Sequence, residues 1–202
     1  MRISTIILLF FFLISCQGNN TDLPFIGDRE ELDGTVTKHK IRPYQLTNHL
    51  GDQVTNATYD GRIQVVDFFF TSCPSICPKV AAQMKRIQEH VKGSDEVILL
   101  SHTIDPKRDS VSILNSYANK IGADDDLWHF LTGPKDLMME LANEDYFVAA
   151  LEAPDAPGGF DHSGKILLLD HQARIRGFCD GTDPTTVDDF MDKIDILLEH
   201  HE

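Results

Sequence analysis

At 202 residues, with 42 % hydrophobic residues and four cysteines, the chain is long enough to bury an ordinary core without disulfide staples. Its 32 acidic against 18 basic residues give a formal net charge of −14, which argues against nucleic acid as a partner, because a phosphate backbone needs lysine and arginine to displace its counterions. Such acidity favours cationic ligands and basic protein patches, and bears on solubility and encounter rather than on fold.

Arg2 is followed by the apolar run Ile6 to Ile14, and no acidic residue precedes Asp22. Residues 1–15 therefore read as an export signal. The run falls short of the roughly 20 apolar residues a membrane-spanning helix needs. Leu13-Ile14-Ser15-Cys16 resembles a bacterial lipobox, in which the signal is cut before the cysteine and that cysteine carries the lipid. Cys16 is then the lipidation site and takes no part in redox or metal chemistry; the plainer alternative is a secreted protein cleaved nearby. The folded part is expected outside the cytoplasm, on the periplasmic side, as a membrane-anchored lipoprotein. From Gln17 to about Asp33 the chain is polar and rich in Gly, Asn and Asp, as a flexible tether would be. The expected organisation is a signal peptide at 1–15, a lipid anchor and tether at 16–35, and a single domain at 36–202.

Within that domain, Gly51-Asp52 reads as a hairpin turn between a stretch ending near Leu46 and the stretch Val54 to Thr58. Ile63 to Phe70 is nearly all apolar and aromatic, which predicts a central strand buried on both faces. Val80, Met84, Ile87 and Val91 then recur at helical spacing, and Gly93 closes the segment. Val97 to Ile104 predicts a second buried strand, Ser110 to Ile121 a helix, Leu127 to Leu131 a short strand, and Pro134 to Ala142 a helix with proline near its start. Phe147 to Leu151 reads as a strand, followed by the Pro-Gly-rich loop Pro154 to Gly159. Lys165 to Asp170 and Ala173 to Phe178 flank His171-Gln172 as an antiparallel pair, and Pro184 begins a last helix running to about Glu199. Strands alternating with helices and closed by a hairpin and a helix describe one α/β domain, a central mixed sheet flanked by helices with an N-terminal β-hairpin extension.

The chemistry concentrates in Phe70-Thr71-Ser72-Cys73-Pro74-Ser75-Ile76-Cys77-Pro78, where two thiols stand four residues apart at the end of an apolar strand. On one helix such residues share a face, roughly 6 Å apart along the axis. That spacing suits either a disulfide or a shared soft metal. In an oxidising compartment paired thiols must form a disulfide, hold a metal or be kept reduced by a partner. A helix N-terminus stabilises negative charge, so both Cys73 and Cys77 are expected to have depressed pKa values.

A dithiol at a strand-to-helix junction in this order of elements is similar to the thioredoxin fold, in which the loop before the penultimate strand faces the start of the thiol-bearing helix. Here that loop carries Asp161-His162-Ser163. More specifically, the chain resembles the Sco/SenC family, whose members bind copper and assist maturation of the CuA centre of cytochrome c oxidase. The resemblance rests on the nonapeptide at 70–78, Thr-Ile-Asp-Pro-Lys-Arg-Asp at 103–109, Trp-His-Phe-Leu-Thr-Gly at 128–133, and Asp-His-Ser at 161–163 with Leu-Leu-Leu-Asp after it. It covers most of the chain from about residue 40 onward. It implies copper, as Cu(I) or Cu(II), held by Cys73, Cys77 and His162. The partners it implies are cytochrome c oxidase subunit II or a related copper acceptor, a thiol reductant protein, and the membrane through the lipid anchor. Two soft sulfurs suit Cu(I), and an added imidazole accommodates Cu(II). Three ligands leave a position open for an acceptor's ligand, which a closed four-ligand zinc site would not.

The same resemblance allows a different class of function, a thiol-disulfide oxidoreductase with Cys73 as attacking thiol and Cys77 as resolver. A peroxidase reading finds no support, since no threonine stands four residues before a lone cysteine. Asp67, six positions before Cys73 in an otherwise apolar strand, resembles the buried aspartate beneath the dithiol of thioredoxin. A buried carboxylate must be paired or carry a raised pKa, so Asp67 is a candidate proton relay to Cys77, against the plainer reading of a carboxylate hydrogen-bonded at the sheet's edge. Cys179 stands where the family commonly has an aromatic residue, and reads as a free, partly buried thiol, with a resolving cysteine as the rarer alternative. Taken alone, His162 is one of nine histidines and would pass as an ordinary hydrogen-bonded loop residue. His200-His201 reads as a favourable end to the last helix, and Asp124-Asp125-Asp126 as a solvated loop.

Overall fold

The computed structural model describes residues 23–199; the expected export signal, Cys16, the first part of the expected tether and His200-His201 lie outside the described residues. The elements follow as β1 (Arg29–Glu30), β2 (Val36–Thr37), β3 (Gln45–Asn48), β4 (Gln53–Thr55), β5 (Ile63–Phe69), α1 (Cys77–His90), β6 (Val97–Thr103), α2 (Val111–Ile121), β7 (Trp128–Thr132), α3 (Lys135–Glu140), β8 (Ala150–Glu152), β9 (Phe160–His162), β10 (Lys165–Leu169), β11 (Ile175–Asp180) and α4 (Pro184–Glu199). Seven strands form one sheet in the order β11-β10-β5-β6-β7-β3-β4. The β5-β6-β7 pairs are parallel and the others antiparallel, so the sheet is mixed.

All seven residues of β5 and all seven of β6 are buried, as strands in the middle of a sheet covered on both faces must be. Side chains alternate across the sheet, so Asp67 and Phe69 point to one face and Phe68 to the other. Tyr117 of α2 stacks on Phe69, and α1 lies against the same face through Val80, Met84 and Ile87. Tyr146, at the end of a π-helical turn over Leu141–Asp145, covers the opposite face against Phe68 and His102. On the surface of α1, Arg86 pairs with Asp188 and His90 with Asp195, which clasps α4 alongside. Gly51, at φ +95°, makes the turn between β3 and β4, and that hairpin continues the main sheet beyond β7.

The strand expected over Phe147 to Leu151 begins only at Ala150, as β8, with Phe147 at φ +54°, and two further stretches differ from the sequence expectation. The tether expected to residue 35 is held from Leu23 onward: the Ile26 amide donates to the Ile175 carbonyl at 2.9 Å, and the Arg176 guanidinium donates to the Leu23 carbonyl. Phe25 lies under both Arg174 and Arg176, and Arg174 also pairs with Asp28 at 2.6 Å. Polar composition hid these contacts, because the partners lie some 150 positions away. The second of these two is β9: Asp161 and His162, expected in a loop, lie in a short strand paired with β8, with His162 opposite Ala150. This hairpin forms a two-stranded sheet apart from the main one.

Candidate functional site

Apolar β5 ends at Phe69, and the chain then turns through Phe70 to Ile76 before α1 starts. The turn is tied down by Asp109, a fully buried carboxylate that accepts from the Thr71 amide at 3.1 Å, from the Thr71 hydroxyl and from the Thr103 hydroxyl. The Cys73 amide closes the turn on the Phe70 carbonyl at 3.2 Å. Helix α1 begins at Cys77 itself, so the expectation of two cysteines on one helix face is corrected: Cys73 sits in the turn, ahead of the helix. Pro78, in the first helical turn, has no N–H to leave unpaired.

The cap residue, Ile76, has no side chain able to accept from the first-turn amides. The Cys73 sulfur takes that role. Burial works to raise the Cys73 thiol, but hydrogen bonds from the Cys77 amide, from His162, from the Ser75 amide and from the Cys77 thiol outweigh it and bring the pKa down to about 6. Cys77 goes the other way. Burial pushes its thiol well above the ordinary range, and the neighbouring Cys73 sulfur and Asp67 push it further. The expectation of two acidic thiols thus holds for Cys73 and is corrected for Cys77, because only one sulfur faces the amides at the helix start while the other is inside the helix and under the sheet.

His162 arrives from β9. Its Nε2 lies 3.4 Å from the Cys77 Sγ, and its Nδ1 lies 3.3 Å from the Ser163 carbonyl, an acceptor only. Nδ1 thus faces the carbonyl, and Nε2 is the ring atom turned toward the sulfurs. The ring packs edge-on against Phe70. The two sulfurs and an imidazole nitrogen lie within 4.8 Å of one another. Bonds of about 2.0–2.3 Å, the lengths usual for nitrogen and thiolate on a transition metal, need separations below roughly 4.5 Å, so a small inward shift seats one ion. Two thiolates and one imidazole are a donor set for a soft or borderline transition metal.

Asp67 lies beneath this cluster, in a central strand and not at the sheet's edge. Burial raises its carboxyl to about 7, partly offset by a hydrogen bond from the Ser101 hydroxyl. Ser101 in turn accepts from the Trp128 indole at 2.8 Å, which commits its proton to Asp67. A small cavity lined by Asp67, Cys77, Ser101, Tyr117 and Trp128 lies between the carboxyl and the second thiol, with room for about one water. Cys179 is buried in β11, and burial raises its thiol to about 12. Cys73, Cys77 and Cys179 are all free thiols. The roles of Asp109 and Ser101 were not anticipated. The heptapeptide at 103–109 marked the region, but only the fold brings Asp109 onto Thr71 from 38 positions away.

The SCO1/SenC family model matches residues 33–199, which is most of the chain and the whole of the cluster. The chain belongs to the SCO1/SenC family. Among solved structures, a SCO1/SenC family lipoprotein from Bacillus anthracis superposes with a TM-score of 0.74 at 21 % identity, covering 87 % of this chain and 99 % of that one. BsSco, described as a member of the Sco family of cytochrome c oxidase assembly proteins with a disulfide switch, is 25 % identical with a TM-score of 0.70, over 79 % of this chain and 93 % of its own. Copper-bound ScoI from Bradyrhizobium japonicum is 23 % identical with a TM-score of 0.65, over 77 % and 98 %. These likenesses establish the thioredoxin-like fold of this SCO1/SenC chain. No helix among its described residues is long and apolar enough to cross a membrane.

Proposed function

We propose that this SCO1/SenC protein is a copper carrier, tethered to the membrane through a lipid on Cys16, that assists assembly of the CuA centre of cytochrome c oxidase. The observation that carries the reading is the convergence of Cys73, Cys77 and His162 within 4.8 Å where β5 hands over to α1. Cys73, with its pKa lowered to about 6, is ionised at neutral pH, so the first sulfur needs no proton removed before copper arrives, and His162 brings Nε2 to the same cluster. Cys77 adds the second sulfur on losing its proton. Three protein ligands leave room for an incoming cysteine or histidine of the acceptor, taken here as oxidase subunit II. A tether raises the effective concentration near a membrane-bound acceptor. The Bacillus anthracis lipoprotein and copper-bound ScoI, both of the same fold, support the anchor and the cargo respectively.

Anaerobic titration of the reduced domain is expected to give one tightly held copper per chain and, for Cu(II), a sulfur-to-metal charge-transfer band that His162→Ala weakens. Copper held no more tightly by the wild type than by a Cys73→Ser, Cys77→Ser double variant would refute the carrier reading.

The unequal thiols favour a second reading, disulfide reduction of a partner. The Cys73 thiolate attacks the partner's disulfide, forming a mixed disulfide and releasing one partner thiolate. Cys77, its proton passed toward Asp67, then attacks Cys73 and releases the second. The partner gains two electrons, and the new Cys73–Cys77 disulfide must be re-reduced by a thiol reductant protein. Copper-free turnover of a mixed-disulfide substrate tests this step.

A further inference from the structure

The hairpin that carries His162 is not part of the main sheet, and a lone two-stranded hairpin is at best marginally stable. At its base, the Asn143 side chain bonds both the amide and the carbonyl of Ala150, at 3.0 and 2.8 Å, which ties the hairpin to the π-helical turn. Nothing in that contact relates it to the cysteines. At the tip, Gly158 sits directly on the cysteine turn: a Cβ added there would come within 2.5 Å of the Phe70 ring, at φ +85°. The Gly158 carbonyl accepts from the Arg108 guanidinium at 2.6 Å. The same guanidinium is fixed on its other edge by the buried Asp105, and lies 6.0 Å from the Phe70 ring and 5.8 Å from the Phe160 ring. The residue after it, Asp109, holds Thr71 of the cysteine turn.

From these contacts we infer that Arg108 is a positioning residue: it clasps the tip of the histidine hairpin to the turn bearing Cys73 and so sets the distance between imidazole and sulfurs without touching either. Guanidinium chemistry is what the place requires. One planar fork must bond a carboxylate and a carbonyl in different directions while lying over two aromatic rings, and an ammonium satisfies only part of that. The Arg108 side chain is about half exposed, so its removal costs the core little. The inference rests on the copper reading for its consequence, but the clasp itself is a property of the metal-free protein.

The test compares wild type, Arg108→Ala, Arg108→Lys and Gly158→Ala, all reduced. In the metal-free proteins, hydrogen exchange of amides 150–162 is expected to rise at least tenfold in Arg108→Ala and Gly158→Ala and by less in Arg108→Lys, with β5 and α1 unchanged. With Cu(II) added, the charge-transfer band is expected to shift or weaken and copper release to a chelator to speed by about tenfold, in the same order of variants. Exchange in Arg108→Ala within twofold of wild type would overturn the inference. So would altered copper binding with an unaltered hairpin, because the guanidinium would then act by charge and not by position. If wild type holds no copper, the carrier reading fails, while the exchange comparison still decides the clasp.

Discussion

Replacing Asp67 by asparagine separates a pH-dependent cost from a fixed one. The folded carboxyl titrates near 7 and an unfolded one near 3.8, so between those values the folded state binds more protons and wild type loses stability as pH rises. At about 1.36 kcal/mol per unit, a gap of that size amounts to roughly 4 kcal/mol, fully developed above pH 7 and absent below about pH 4. Asparagine cannot ionise, and its Oδ1 can still accept from Ser101. Its NH2 group gains no assured acceptor beyond the one-water cavity, a fixed penalty of about 1–3 kcal/mol. Urea unfolding of reduced, metal-free wild type and Asp67→Asn at pH 4, 5.5, 7 and 8 should therefore start with wild type the more stable and shift by several kcal/mol toward the variant by pH 8. A difference that stays constant across that range would refute the buried, proton-holding role of Asp67.

Alkylation of the reduced, metal-free protein should label Cys73 with a midpoint near pH 6, since at pH 7 a thiol of pKa about 6 is about 90 % ionised against about 1 % for one at 9; a midpoint above pH 8 would contradict the capping role of its sulfur. Because Cys77 stays protonated in that range, copper binding at pH 7 should release about one proton, not two, as read by calorimetry in buffers of different ionisation enthalpy. His102, held neutral by burial with its pKa lowered to about 3, costs stability as pH falls from about 6.5 toward 3, because the unfolded imidazole takes a proton that the folded one refuses. His102→Phe should flatten that acid limb in unfolding curves taken against wild type. Met84→Ala, at the centre of the buried stripe of α1, should cost about 2–5 kcal/mol in denaturant unfolding with little change in the charge-transfer band.

Legibility in the sequence followed the range of the interactions. The strand over 63–69 and the helix carrying Val80, Met84 and Ile87 were readable because burial imposes a local period. His162 became readable only through the family resemblance, since nothing near it in sequence distinguishes it from the other histidines. Its strand was missed because Phe160–His162 is three residues long and owes its conformation to Ala150–Glu152 across the hairpin. The thiol assignment went half wrong for a related reason. Spacing four residues apart describes one helix face, whereas the helix starts at the second cysteine, and that shift of one turn gives the amides to Cys73 and the apolar interior to Cys77.

That asymmetry joins the two proposed activities. A site with two acidic thiols would capture metal readily but would leave no protonated resolver to hold back, so a mixed disulfide would collapse at once. A site with two ordinary thiols would be slow at both tasks at neutral pH. With Cys73 ionised and Cys77 protonated, the first ligand or nucleophile is ready, while the second waits on a proton transfer for which Asp67, titrating near 7 on the same small cavity, is the proposed acceptor. The step that completes copper coordination and the step that closes the intramolecular disulfide are therefore the same deprotonation of Cys77. The arriving partner, cation or disulfide, decides which bond that sulfur makes.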